Sequence, residues 1–150
     1  MPRLLYLITL VFFSASTFAL DKSDVGTYGV LTKDQTSIGS VITISRSANK
    51  WDFYMKMKEN GLWAQSSCEG GCELKASGIK NTHRMFSKEF LEEFTPDCIN
   101  NKAMAFCRLK SEKYEDAYLM VALTTSEAIA MPLVKLSDIP KDDEALKEDE

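Results

Sequence analysis

The chain has 150 residues, 45% of them hydrophobic and 27% charged, with four cysteines and a formal net charge of −4. The length suits one domain, and the hydrophobic share is enough to give it a core. A weakly acidic balance with no basic stripe makes nucleic acid an unexpected partner.

Met1-Pro2-Arg3 precedes an apolar run from Leu4 to Phe13 and then small and polar residues closing on Thr17-Phe18-Ala19. This three-part pattern reads as a secretory signal peptide over residues 1–19. A spanning helix needs about 20 apolar residues, roughly twice what the run offers, so no membrane anchor is expected after signal cleavage. No cysteine follows the run to carry a lipid. The expected location is the periplasm or the external medium, with a mature chain starting at Leu20 and a single domain over 20–140. Loss of Arg3 with the leader takes the 18 basic side chains to 17 against 22 acidic ones, a mature charge of −5. Most of that excess lies in 141–150, KDDEALKEDE, which reads as a solvated, disordered acidic tail.

Cys68, Cys72, Cys98 and Cys107 all follow the leader. An even count in an exported chain predicts two disulfides. C-x3-C followed by C-x8-C lacks the C-x2-C knuckles of a structural zinc site, so neither a metal nor another cofactor is expected. Spacing does not fix connectivity. The favoured pairing is Cys68–Cys72, around Glu69-Gly70-Gly71, with Cys98–Cys107.

Gly26–Leu31 and Ile38–Ser45, flanking the polar turn Thr32–Ser37, are rich in β-branched and aromatic residues and predict two strands. After a turn at Ser47–Lys50, the segment Trp51–Lys58 alternates: Trp51, Phe53, Met55 and Met57 share one face, and Asp52, Tyr54, Lys56 and Lys58 the other. Asn60-Gly61 suits a type I′ turn, so Leu62–Ser67 is expected to fold back antiparallel. Glu73–Ala76 can continue as a short strand before Ser77-Gly78 breaks it. From Met85 to Phe94 the period changes, with Phe86, Phe90, Leu91 and Phe94 at helical spacing, capped by Ser87 and stopped by Pro96. This helix is expected to cover one end or one edge of the sheet. Ala103–Lys110, Ala117–Thr124 and Ala128–Leu136 predict an antiparallel meander. Ala117–Leu123 is apolar on both faces, as in a strand covered on two sides or part of a closed barrel. Pro132 implies an edge or a bulge in the last strand. The sum is a mostly β fold: a small antiparallel barrel or sandwich of seven or eight strands, lipocalin-like by strand count, with one short helix and two disulfides.

The chain has one histidine, His83, within the polar segment Lys80–Arg84, where a solvated surface residue is the commoner reading. No nucleophile-elbow, phosphate-loop, zinc-protease or calcium-loop pattern is present, and C-x3-C is not the C-x-x-C of a thiol oxidoreductase. Glu89, Glu92 and Glu93 read as solvated helix acids rather than a glycosidase pair. Glu69 differs, because a Cys68–Cys72 bridge would hold it still on an exposed loop that loses little entropy on docking. The absence of a catalytic set, the export signal and the acidic balance together point to a non-enzymatic binding protein. An inhibitor or immunity protein that occludes a basic envelope toxin or cell-wall hydrolase fits this profile. Its expected contact residues are Glu69, Gly70 and Gly71 with Asn81, His83 and Arg84. The alternative is a lipocalin-like carrier whose Met and aromatic stripe lines a lumen for a small apolar ligand. The state of the barrel interior separates the two.

Overall fold

The computed structural model describes residues 20–56, 63–65, 73–124 and 126–140. The leader, the Asn60-Gly61 turn, the Cys68–Cys72 loop with Glu69, Gly70 and Gly71, and the acidic tail lie outside the described residues. Of Trp63–Gln65 only the backbone is considered.

A single 3₁₀ turn, Lys22–Asp24, opens the described chain, and Asp21 caps it by accepting from Ser23 N at 2.7 Å. Strands β1 (Gly26–Leu31), β2 (Ile38–Ser47), β3 (Lys50–Lys56), β4 (Trp63–Gln65) and β5 (Lys75–Ala76) follow. Helices α1 (Ile79–Met85) and α2 (Lys88–Glu93) come next, then β6 (Thr95–Asn100), β7 (Met104–Lys110), β8 (Ala117–Ala122) and β9 (Ile129–Ser137). All pairings are antiparallel, in the order β4-β3-β2-β1-β9-β8-β7-β6-β5. One bridge, Trp51 to Leu74, ties β3 to the residue before β5 and nearly closes the sheet into a barrel. Burial of Leu74 and Trp51 gives that seam an apolar contact as well.

The local rules hold in the first half. Ala48 and Asn49, at φ +44° and +70°, form the two-residue turn that sets Ser47 opposite Lys50. Two consecutive positive φ values are the requirement of a type I′ hairpin, whose twist matches the strands it joins. Trp51 and Phe53 then face inward with Met55, as their alternation predicts. An Asn60-Gly61 turn would set Lys56 opposite Gln65, but β3 and β4 pair Lys56 with Trp63 and Tyr54 with Gln65. A slip of two residues preserves the period-2 alternation of a strand, so an alternating pattern does not discriminate between the two registers.

Four expectations are corrected. The described residues hold two helices rather than one, because Ile79–Met85, which contains the expected polar loop Lys80–Arg84, is helical. Its pattern conceals this: Ile79 is 81% exposed, only Met85 is buried, and Gly78 supplies no capping side chain. Thr95–Asn100, for which the sequence predicts no element, is β6. Its Pro96 is tolerated because β5 pairs only with Ile99 and Asn100, so among the described residues nothing needs a ladder donor at Pro96 on that side. Pro132 stands at a local edge, paired with β8 alone, rather than making β9 an edge strand throughout or carrying a bulge. β9 lies between β1 and β8, its β1 pairing begins at Leu133, and the irregularity falls at Thr27/Tyr28, opposite Lys135–Ser137. Finally, the helices cover the outer face of β6–β8 rather than an end or an edge of the sheet.

That cover creates two cores. The inner one joins Tyr28, Ile42, Ile44, Trp51, Phe53, Ile99, Phe106 and Met120 into one cluster with Leu20, Leu74 and Met104. Tyr28, Phe106 and Tyr118 pack ring against ring, with centroids 5.0–5.7 Å apart. The outer one places Met85, Phe86, Phe90, Leu91 and Phe94 over Ala105, Cys107, Leu109 and Val121. Within it lies the disulfide Cys98–Cys107, which joins directly opposed residues of β6 and β7 across a Cα separation of 4.1 Å. Among the described residues no helix is long and apolar enough to cross a membrane.

Candidate functional site

At the end of the barrel where β1 begins, the 3₁₀ turn inserts Asp24 with no exposed surface. A buried carboxylate needs donors. Arg108 Nη1 donates to Asp24 Oδ1 at 3.0 Å, Tyr118 Oη to the same atom at 3.1 Å, and the Asp21 amide to Oδ2 at 2.7 Å. Tyr28 Oη donates to the Asp24 carbonyl at 2.6 Å. Arg108 also faces Asp21 and Asp97, each at 3.7 Å. Burial, with the Asp24 carboxylate next in weight, pushes the Tyr118 phenol up to about 12, and burial also raises Tyr28. Both phenols therefore remain protonated donors at neutral pH. Asp97 is the odd member: its Oδ2 lies within charge contact of Arg108 but makes no hydrogen bond, and burial raises its pKa. Perturbed groups of this kind often mark active sites. Here the central carboxylate is wholly enclosed and its oxygens are engaged, so the network is a plug that seals the barrel.

The accessible feature lies outside the barrel, at the end where β6 runs into β7. A cleft of about 740 Å³ opens between α1, the β5 edge, and the β6–β7 and β8–β9 connections. Helix α1 contributes Asn81, Arg84 and Met85; the β5 region contributes Glu73, Lys75 and Ala76; the β6–β7 turn contributes Asn100, Asn101 and Lys102. Leu123, Ser126 and Ala128 form the remaining wall. The turn at its base is held from within. Asn101 Oδ1 accepts from the Ala103 and Met104 amides at 2.8 and 2.9 Å, and Ser77 Oγ donates to Asn100 Oδ1 at 2.6 Å. The Leu123 amide donates to the Ala103 carbonyl at 2.8 Å, which ties the end of β8 to the same turn.

Asn81 and Arg84, two of the expected contact residues, thus lie together in this cleft, on a helix rather than on a loop. His83 is exposed on the same helix but does not line it. Lys75, Asn100, Asn101 and Lys102 were not singled out by their sequence. They become neighbours of Arg84 only because β5 and the β6–β7 turn meet α1, and only the Asn-Asn-Lys turn itself hints at them locally. Arg84 and Lys102 make no ion pair among the described residues, whereas Lys75 lies 3.6 Å from Glu73, with both side chains well exposed.

Among the described residues no group of three or more His, Cys, Asp or Glu side chains could hold a metal ion, and the disulfide removes Cys98 and Cys107 as thiolate ligands. No protein-family model, no curated protein and no solved structure matches the chain.

Proposed function

We propose that this is an exported binding protein that acts by docking a protein partner, as an inhibitor or immunity protein does toward an envelope-acting toxin or cell-wall hydrolase. The observation that carries this reading is the contrast between a barrel interior occupied by one contiguous cluster of large side chains and an open, polar cleft on the outside. A carrier needs the reverse: a hollow lumen lined by Trp51, Phe53 and Met55. Here Trp51 and Phe53 are buried members of the inner cluster and Met55 packs against it. Docking also suits the rigid base of the cleft, since groups already held in place lose little entropy on binding.

The test begins with the mature chain as bait in its native host and proceeds to affinity measurement with the purified partner. Arg84→Glu, at an exposed cleft position, is expected to weaken that complex at least tenfold, while Val134→Glu on the opposite wall leaves it unchanged. Stoichiometric uptake of an apolar fluorophore, lost in Phe53→Ala with the circular dichroism spectrum preserved, would replace docking by transport of a small apolar ligand.

A further inference from the structure

We infer that the cleft beside α1 receives carboxylate side chains from an acidic, protruding segment of the partner. This rests on the docking reading and adds the chemistry of the contact. Three cations, Lys75, Arg84 and Lys102, come to the cleft from three separate elements, against the single acid Glu73. Glu73 lies 3.6 Å from Lys75, so part of its charge is already answered. Arg84 and Lys102 have no such answer among the described residues, and both are exposed. A concave site lined by uncompensated cations collects anions, and low-dielectric walls strengthen the field inside it.

The remaining lining favours a peptide over a phosphate polymer. The cations come from three separate elements, and the acid Glu73 in the same lining repels a densely charged ligand. The Asn81 side chain, half-buried and with no hydrogen-bond partner among the described residues, can bond a peptide backbone. The volume, about 740 Å³, is that of a pocket for several residues. Local and long-range charge then divide the work. The mature net charge of −5 attracts a partner that is basic overall, and the cleft selects an acidic loop upon it. Because the cations are exposed, the contact weakens as salt rises.

Amide NMR of the full mature chain, titrated with N-acetyl-hexaglutamate at low salt, tests this. Shifts are expected at Asn81, Arg84, Asn101 and Lys102, none with N-acetyl-hexaglutamine, and at least tenfold weaker binding in Arg84→Glu/Lys102→Glu with the rest of the spectrum unchanged. Equal binding of the neutral peptide, equal binding by the charge-reversed variant, or tighter binding of a glycerol phosphate oligomer at the same amides would overturn the inference. The two readings fail separately. If the acidic peptide does not bind yet Arg84→Glu still weakens the partner complex, docking stands and the acidic segment falls. If the peptide binds in the cleft while the partner ignores the reversal, the anion site stands and docking through this cleft falls.

Discussion

Strands β7 and β9 both lie inside the sheet with a neighbour on each side, yet Met104–Leu109 of β7 is buried on both faces whereas in β9 only Leu133 is buried. Both sequences are largely apolar. β7 is enclosed because α1 and α2 lay Met85, Phe86, Phe90 and Phe94 over its outer face, while Val134 and Leu136 of β9 keep 42% and 47% of their surface exposed. A strand with two apolar faces does not dictate its own cover; a separate element has to arrive. The covered wall also carries the disulfide and frames the cleft, so both lie on the same side of the molecule.

The largest expected effect comes from the covered wall. Leu109 of β7 is 5% exposed and lies in the outer cluster with Met85, Phe86, Phe90 and Phe94. Leu109→Ala is expected to lose about 2–5 kcal/mol in urea unfolding, and Val134→Ala on the bare wall less than about 0.5 kcal/mol. Equal losses would erase the distinction between the walls.

Next comes the bridge. Replacing Cys98 and Cys107 by alanine opens a link between residues nine apart in sequence, and a loss of about 2–3 kcal/mol is expected. Since β6 and β7 remain paired through six opposed residue pairs, the variant should still fold, and its α1 amides should exchange faster with solvent. Unchanged exchange would separate the bridge from the helical cover.

The smallest effect is one of pH and concerns the plug. Burial raises the Asp97 pKa above its ordinary value, so the fold favours the protonated acid. Whatever stability that form confers is fully present below the ordinary value of 3.8 and is lost as pH rises through the raised one. Asp97→Asn removes the loss. The variant should match the native protein near pH 3 and be slightly more stable at pH 7 by chemical denaturation. Lower stability at pH 7 would mean that the 3.7 Å contact with Arg108 outweighs burial.

The sequence by itself determined a mostly β chain, the inward face of Trp51–Met55, the Ser47–Lys50 turn and the Ser87 cap of α2, and it favoured the pairing of Cys98 with Cys107 without fixing it. Those it determined follow from residue alternation or local backbone preference, and each acts over a few residues. Only the tertiary structure decided the rest. β6 is a strand because β7 offers it a partner despite Pro96 and Asp97. Ile79–Met85 is helical although it presents just one buried side chain. Asp24 is an interior residue only because Arg108, 84 positions later, meets it with a charge. The cleft belongs to the same class: Asn81 and Arg84 were visible as polar residues, but their union with Lys75 and Lys102 depends on how α1 crosses the outside of the barrel. Contacts between distant parts of the chain carry no local signature, since the sequence records what each segment prefers and packing selects which segments meet.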